Sequence, residues 1–409
     1  MSASLLTRPA VILLGLVTAI GPLATDMYLP AFPQLEKALG GGNDSAQFTL
    51  GVWFLGLAAG QIFQGALSDR FGRKIPLIIG LFIFALASVG CAIVNDYSLF
   101  CFYRFLGALG GSVSTVIPRA VVRDGATGRK EVHIMAQLTL VFGVMPVLAP
   151  SLGSVVMHFG SWRNIFWLET LYAVLAIVGV LLIVPETLAV EQRIFLPLKG
   201  IIQRYKSIVR EPVFLTNTLI SSFATFVMFA YVSGAPAVFE QYLGFSPQMF
   251  GIFFGVNAAF FILGTQINSL LLHHVSLVTL LEGAALWVIS MGCVFLILAL
   301  SGFTGVLQGG THRLFLCFLI IMMIGGLGFI APNSTVLSLS RHGQHAGSAS
   351  AMLGTFRFGL GFFSSVLVGW LPGSGAVPMA TAMFIGALGI VCSAIARRLF
   401  RGHEHRTHS

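Results

Sequence analysis

Three charged side chains that could do chemistry stand inside long apolar stretches of this chain: Asp26, Arg104 and Arg357. An ionisable group in a membrane-length apolar segment is costly, and it marks a path for protons, ions or substrate. From Val11 to Asp26 is about 15 residues, roughly 22 Å of helix. That places Asp26 in the outer half of a hydrocarbon core about 30 Å thick. Arg104 enters about five residues, roughly 8 Å, along another segment. At matching depths the two would form an ion pair, and protonating Asp26 would release Arg104 as a proton-sensitive switch. The plainer alternative is that Asp26 caps or packs near the interface beside a kink at Pro30. Arg357 falls near the middle of its segment, in Gly-Thr-Phe-Arg-Phe-Gly. It lines a central cavity, or helix-end carbonyls neutralise it, and both readings stand. Glu169 and Glu282 are less specific, and both fit an interfacial position.

The elements that hold these residues follow from composition. The chain has 409 residues, of which 56% are hydrophobic and 9% charged, with a mean hydropathy of +0.91. A soluble domain carries about 25% charged residues, so lipid must be the main solvent here. Twelve apolar segments of spanning length are centred near residues 22, 57, 85, 110, 144, 174, 226, 259, 289, 326, 358 and 388. Fewer spans with re-entrant pieces is the competing count. The first segment follows Arg8 but holds Pro22, Asp26 and Pro30 and has no small-residue cleavage site, so it reads as an uncleaved span. The fold class is an all-α integral membrane protein of twelve transmembrane helices in two six-helix bundles. The expected divisions are residues 1–184, a linker at 185–211, a second bundle at 212–400 and a tail at 401–409.

The net charge of +9 is a topology signal rather than a nucleic-acid footprint. With loops assigned alternately to two sides, 17 of the 23 Lys and Arg fall with the termini. Lys37, Arg163 and Arg313 fall opposite, and Arg104, Arg119 and Arg357 lie within apolar segments. Basic residues collect on the cytoplasmic side, so both termini are expected there. The five cysteines have no metal-ligand spacing and read as buried, inert thiols. No metal or cofactor is expected. There is no P-loop, zinc motif or nucleophile elbow, which argues against an enzyme or a primary pump.

The turn Gly65 to Lys74 reads G-A-L-S-D-R-F-G-R-K, a tight basic hairpin between two spans. Asp69 is suited to face an arginine or a helix N-terminus. With Arg70, Gly72 and Arg73, and with Arg119 and Arg123 from the end of span four, it would form a conformational latch. Solvated topology charge is the plainer reading. Span five carries Pro146, Pro150 and Gly153, so a kink is expected. Small residues cluster at 107–112, 325–328 and 347–351 and let helices approach closely. The linker around Leu198 to Val209 is either a short amphipathic surface helix or a plain solvated segment. The tail histidines, His403, His405 and His408, fit a disordered polar end better than a metal site. Tyr28, Gln137, Phe226, Phe229, Asn257, Asn333 and Arg357 are candidates for a substrate cavity, because aromatics beside a few amides suit an amphipathic organic molecule.

The hairpin resembles the signature loop of major facilitator superfamily transporters. Arg104-Phe-Leu-Gly-Ala resembles the arginine motif of their fourth span. Ala149-Pro-Ser-Leu-Gly-Ser resembles the span-five motif of drug:proton antiporters. Thr25-Asp-Met-Tyr-Leu-Pro-Ala and Gly354-Thr-Phe-Arg-Phe-Gly resemble the Bcr/CflA group of bicyclomycin- and chloramphenicol-type resistance exporters. The resemblance implies alternating access and proton-driven export from a bacterial inner membrane. It makes Asp26 the coupling acid, Arg104 its partner and Asp69 the latch. Ala149 and Ser154 replace glycines usual in the antiporter motif. Thr18 stands where some relatives place a second acid, which favours neutral or zwitterionic substrates over strongly cationic ones. The expected partners are such a substrate, protons and lipid, with the chain acting as a monomer. The competing functions are a metabolite carrier on the same fold, for instance for a siderophore or amino-acid derivative, and a membrane receptor or scaffold that transports nothing.

Overall fold

The computed structural model describes residues 6–40, 45–193, 198–301, 310–342, 346–373 and 375–407. The side chains of Arg129, Arg313 and residues 401–407, and all of His408, lie outside what is described. Backbone polar groups in hydrocarbon must be satisfied within their own segment, which leaves helices as the solution for long apolar runs. The chain forms α1 (Arg8–Asp26), α2 (Phe32–Leu39), α3 (Ser45–Phe71), α4 (Lys74–Ile93), α5 (Tyr97–Gly111), α6 (Val113–Gly125), α7 (Gly128–His158) and α8 (Arg163–Ile183). There follow α9 (Leu198–Arg210), α10 (Pro212–Pro236), α11 (Pro247–Leu271), α12 (Leu277–Leu300), α13 (Gly310–Leu339), α14 (Ala346–Trp370) and α15 (Val377–Thr407).

Among the described residues, eleven helical stretches are long and apolar enough to cross a membrane, and a bent pair in α7 makes twelve. Each of the twelve expected centres falls inside one of these stretches. The α7 pair, His133–Pro146 and Leu148–His158, bends by 47°. A proline there removes a backbone donor and clashes with the preceding turn. Local sequence sets several helix starts. Asp96 accepts from the Leu99 amide at 2.8 Å to begin α5, and Ser246 accepts from Met249 at 3.2 Å to begin α11.

The chain divides into two compact units, residues 1–202 and 203–409. In the first, α4 packs on α5 and α8, α3 packs on α5, and α1 lies against α7, α6 and α8. In the second, α10 packs on α13, α14 and α15, α11 packs on α13, and α12 packs on α13 and α15. Of the two readings of the linker, the structure has the helix, α9. The chain before it is held by the first unit through Glu186, and Glu211 after it pairs with Arg341 and His342 of the second. The last helix continues to Thr407 rather than ending in an irregular tail at residue 401.

Gly153 shows why one position of α7 must be small. A Cβ there would collide with the main-chain carbonyl of Met27, just past the end of α1. Replacing Gly153 with Val should therefore cost about 1–3 kcal/mol by overpacking, read as a lowered unfolding temperature in detergent. Gly283→Ala, where a Cβ meets nothing within 4 Å and the residue lies inside α12, should not lower that temperature.

Candidate functional site

The N-terminal unit buries a guanidinium. Arg104, 1% exposed, projects from α5 toward the end of α1. It donates to the Ala24 carbonyl at 3.1 Å. Its guanidinium carbon lies 4.2 Å from the Tyr28 ring centroid, 4.3 Å from Trp53 and 5.8 Å from Phe166. Each such contact is worth roughly 0.5–2 kcal/mol, more when desolvated. The aromatic cage is itself fixed. Trp53 Nε1 donates to Thr25 at 2.9 Å, and the Tyr28 hydroxyl lies 3.3 Å from Thr49 Oγ1.

Asp26 sits between these anchored neighbours and is 5% exposed. The expected Asp26–Arg104 ion pair is not formed among the described residues. Arg104 takes the backbone before Asp26 and the ring after it instead of the carboxylate. The wide, flat faces of Tyr28 and Trp53 hold the cation where a carboxylate was expected. Tyr28 is 0% exposed and belongs to this cage.

A second acid approaches the same guanidinium. Glu169 of α8, 4% exposed, interacts electrostatically with Arg104 and accepts from the Ser88 hydroxyl of α4 at 3.3 Å. The sequence reading placed Glu169 at an interface. Its position three residues after Phe166, on the same helix face, is a signal that becomes readable once Phe166 is known to cap Arg104.

The α3–α4 hairpin builds a second cluster. Arg73, 4% exposed, donates from Nη1 to Asp69 at 2.6 Å and to Ser68 at 2.5 Å, and from Nε to Asp124 at 2.6 Å. Burial works against the Arg73 charge, but the Asp124 and Asp69 carboxylates outweigh it and hold its pKa above the usual arginine value. Gly72 turns the chain with φ +89°, a conformation that favours glycine. A side chain there would also strike the Glu186 carboxylate. Glu186 Oε1 accepts from the amides of Arg73 (2.9 Å) and Leu188 (3.0 Å), and Oε2 from that of Lys74 (3.2 Å). Of the expected latch residues, Asp69, Gly72 and Arg73 come together. Arg70 lies over Phe71 at 5.1 Å, and Arg119 and Arg123 are exposed. Asp124 and Glu186 complete the cluster. Glu186 lies more than a hundred residues from the Arg73 and Lys74 amides, so no local spacing could reveal that pairing.

In the C-terminal unit, Arg357 donates to the hydroxyls of Ser221 (2.7 Å) and Thr335 (2.5 Å). These are side-chain partners on α10 and α13, not the helix-end carbonyls considered above. Asn333 and Asn268 exchange two amide hydrogen bonds, of 2.7 and 3.1 Å, between buried positions. Asn257 is 1% exposed and bonds the Phe253 carbonyl of its own helix. Phe226 is buried, while Phe229 is half-buried and stacks on Phe358. In the N-terminal unit Gln137 is exposed beside His133. The proposed cavity residues therefore divide between packed interior and accessible surface. Pro150 and Gly153 are buried and Pro146 is half-buried. Among the described residues, no group of three or more His, Cys, Asp or Glu could hold a metal ion.

Apolar spans around buried charges define a polytopic membrane protein. The family model of the Major Facilitator Superfamily matches residues 14–365, and the chain belongs to that superfamily. It is 33% identical over 378 residues to the uncharacterized MFS-type transporter YdgK of Bacillus subtilis, a match covering 92% of each chain. It is 30% identical over 379 residues to a bicyclomycin resistance protein homolog of Haemophilus influenzae, covering 91% of this chain and 92% of that one. Multidrug resistance protein MdtL of Escherichia coli is 28% identical over 228 residues, 55% of this chain and 56% of its own. Among solved structures, a D-xylose-proton symporter superposes with a TM-score of 0.69 at 18% identity, covering 95% of this chain and 96% of that one. That likeness shows the major facilitator fold alone.

The Glu186 clasp has a pH signature. Burial would raise its pKa, but the amides of Arg73, Leu188 and Lys74, with the Arg193 charge, hold it below the ordinary glutamate value. A carboxylate with a depressed folded-state pKa adds stability above its unfolded pKa of about 4.3 and loses it as pH falls through the folded value. Hydrogen exchange at the Arg73 and Lys74 amides should be slow at neutral pH and quicken, relative to neighbouring amides, only below about pH 4. In Glu186→Gln that acid-dependent change should vanish.

Proposed function

We propose that this chain exports small organic molecules across a bacterial inner membrane by alternating access, driven by protons moving inward. The observation that carries this reading is Asp26: a buried carboxyl in the first span with no ion pair among the described residues. An acid so placed is costly when charged, and exchange of a proton is the chemistry that justifies it. The names of the bicyclomycin and multidrug resistance relatives support drug-like cargo, and the first of them matches over nearly the whole chain.

In this reading the six-helix halves are residues 1–184 and 212–400, and both termini face the cytoplasm. Asp26 takes and gives up the proton, with Arg104 as the charge beside it. The Asp69–Arg73–Asp124 cluster, with Gly72, latches one conformational state. Pro146, Pro150 and Gly153 shape a moving seam. Gln137, Phe229 and Arg357 are the best placed of the cavity candidates, since they retain accessible surface. Arg357 favours neutral or zwitterionic cargo over strong cations. The chain acts as a monomer with lipid as its solvent.

Vesicles containing the purified protein, under an imposed pH gradient, test the reading against a panel of neutral, zwitterionic and cationic compounds. Gradient-driven movement should be lost in Asp26→Asn, and movement that persists unchanged would sink proton coupling. Arg73→Ala should slow transport without abolishing substrate binding, and a full transport rate in that variant removes the latch.

A further inference from the structure

The N-terminal unit holds a second buried acid that the proton-coupling reading does not use. Glu169 lies six residues into α8, roughly 9 Å along the helix, and Arg104 lies seven residues into α5, roughly 10 Å. The two helices cross the membrane in the same direction, so the groups sit at one depth. Ser88, five residues from the end of antiparallel α4, is level with them. Glu169 Oε2 accepts the Ser88 hydroxyl, while Oε1 is buried without a hydrogen-bond partner. Arg104 Nε is also buried without a hydrogen-bond partner. Each group keeps one unused buried polar atom.

We propose that Glu169 is a second proton-binding group of this transporter, acting on Arg104. This rests on the proton-driven reading above and extends it from one acid to two. The proton comes from water, is held on the Glu169 carboxylate, and returns to water, with no other bond changed. With the proton on, Arg104 keeps the Ala24 carbonyl and the rings of Tyr28, Trp53 and Phe166 as its only company. With the proton off, a full negative charge draws the guanidinium toward α8. The bound proton thereby sets how firmly α5 is held to α1. The titratable groups facing Glu169 are Arg104 on α5 and Cys91 on α4. Helix α1 also packs on α8 and ends in Asp26, and Tyr28 follows it in the turn, on the Arg104 face. Helix α7 carries His158 at one exposed end and Lys130, Glu131 and His133 near the other.

A purely structural acid would stay protonated at every accessible pH, bonded to Ser88, and this separates the two roles. Infrared difference spectra between acid and alkaline pH, recorded on the full protein in lipid vesicles, read buried carboxyl groups directly and need no substrate. The wild type should show two pH-dependent carboxyl components, one lost in Asp26→Asn and the other in Glu169→Gln. Ser88→Ala, which keeps the acid and removes its donor, should displace the midpoint of the Glu169 component alone. In transport, Glu169→Gln should lose gradient-driven movement and keep substrate-for-substrate exchange at equal pH. A spectrum from which Glu169→Gln removes nothing overturns the proposal, as does a Glu169 component that does not change with pH. If Glu169→Gln does not fold, an unmoved midpoint in Ser88→Ala overturns it. A wild type that moves nothing under a gradient defeats the proton-driven reading, while the infrared components still decide whether Glu169 exchanges a proton.

Discussion

A guanidinium in hydrocarbon has to be solvated by the protein itself, and the N-terminal unit is arranged around that demand. Arg104 donates to the Ala24 carbonyl and lies against the rings of Tyr28, Trp53 and Phe166. Ring faces satisfy a cation without neutralising it. The charge therefore remains available to any carboxylate that loses a proton nearby. A salt bridge to Asp26 would have been the stronger contact, but it would have fixed both groups in one state. The cage leaves Asp26 and Glu169 chemically responsive while keeping Arg104 in place.

The hairpin at the other end of the unit solves the same problem differently. Arg73 is buried too, yet two carboxylates and a serine hydroxyl meet it directly. Such a pair is strongly destabilised when one partner is removed, by about 3–5 kcal/mol, which suits an element that must hold until the whole state changes. Glu186 adds a contact of another kind. It binds amides at the start of α4, where the helix dipole favours negative charge, and so ties the segment after α8 to the hairpin. One cation is held by ring faces and the other is locked by carboxylates.

Much of this architecture is legible in the sequence because hydrocarbon imposes a simple rule. Twelve apolar stretches, the kink at Pro146 and Pro150, and the glycine turn at Gly72 all follow from local residue choice. The linker helix α9 was open between two readings, since a short amphipathic pattern suits a solvated segment as well. The partners of buried charges were harder. Depth along a helix placed Asp26 and Arg104 near one another, but depth does not fix which way a side chain turns. Arg104 turned to Tyr28 and Trp53 because Thr25 and Thr49 hold those rings in position. Glu169 and Glu186 looked unremarkable, since the groups that give them meaning lie 65 and 113 residues away in the chain.

The contrast between the two halves bears on where chemistry resides. In the C-terminal unit Arg357 is met by neutral hydroxyls from two helices, and Asn268 and Asn333 satisfy each other. None of those partners changes charge at any ordinary pH. In the first unit Glu169 interacts with Arg104, so a proton gained or lost there changes the electrostatics of α5 and α8. The second unit offers a fixed positive group and a neutral amide pair instead, a setting suited to recognising cargo rather than to reporting a proton. That asymmetry explains why the weak sequence symmetry between the halves need not be stronger. The two bundles share a fold because lipid demands it, and they diverge at the few polar positions that lipid does not decide.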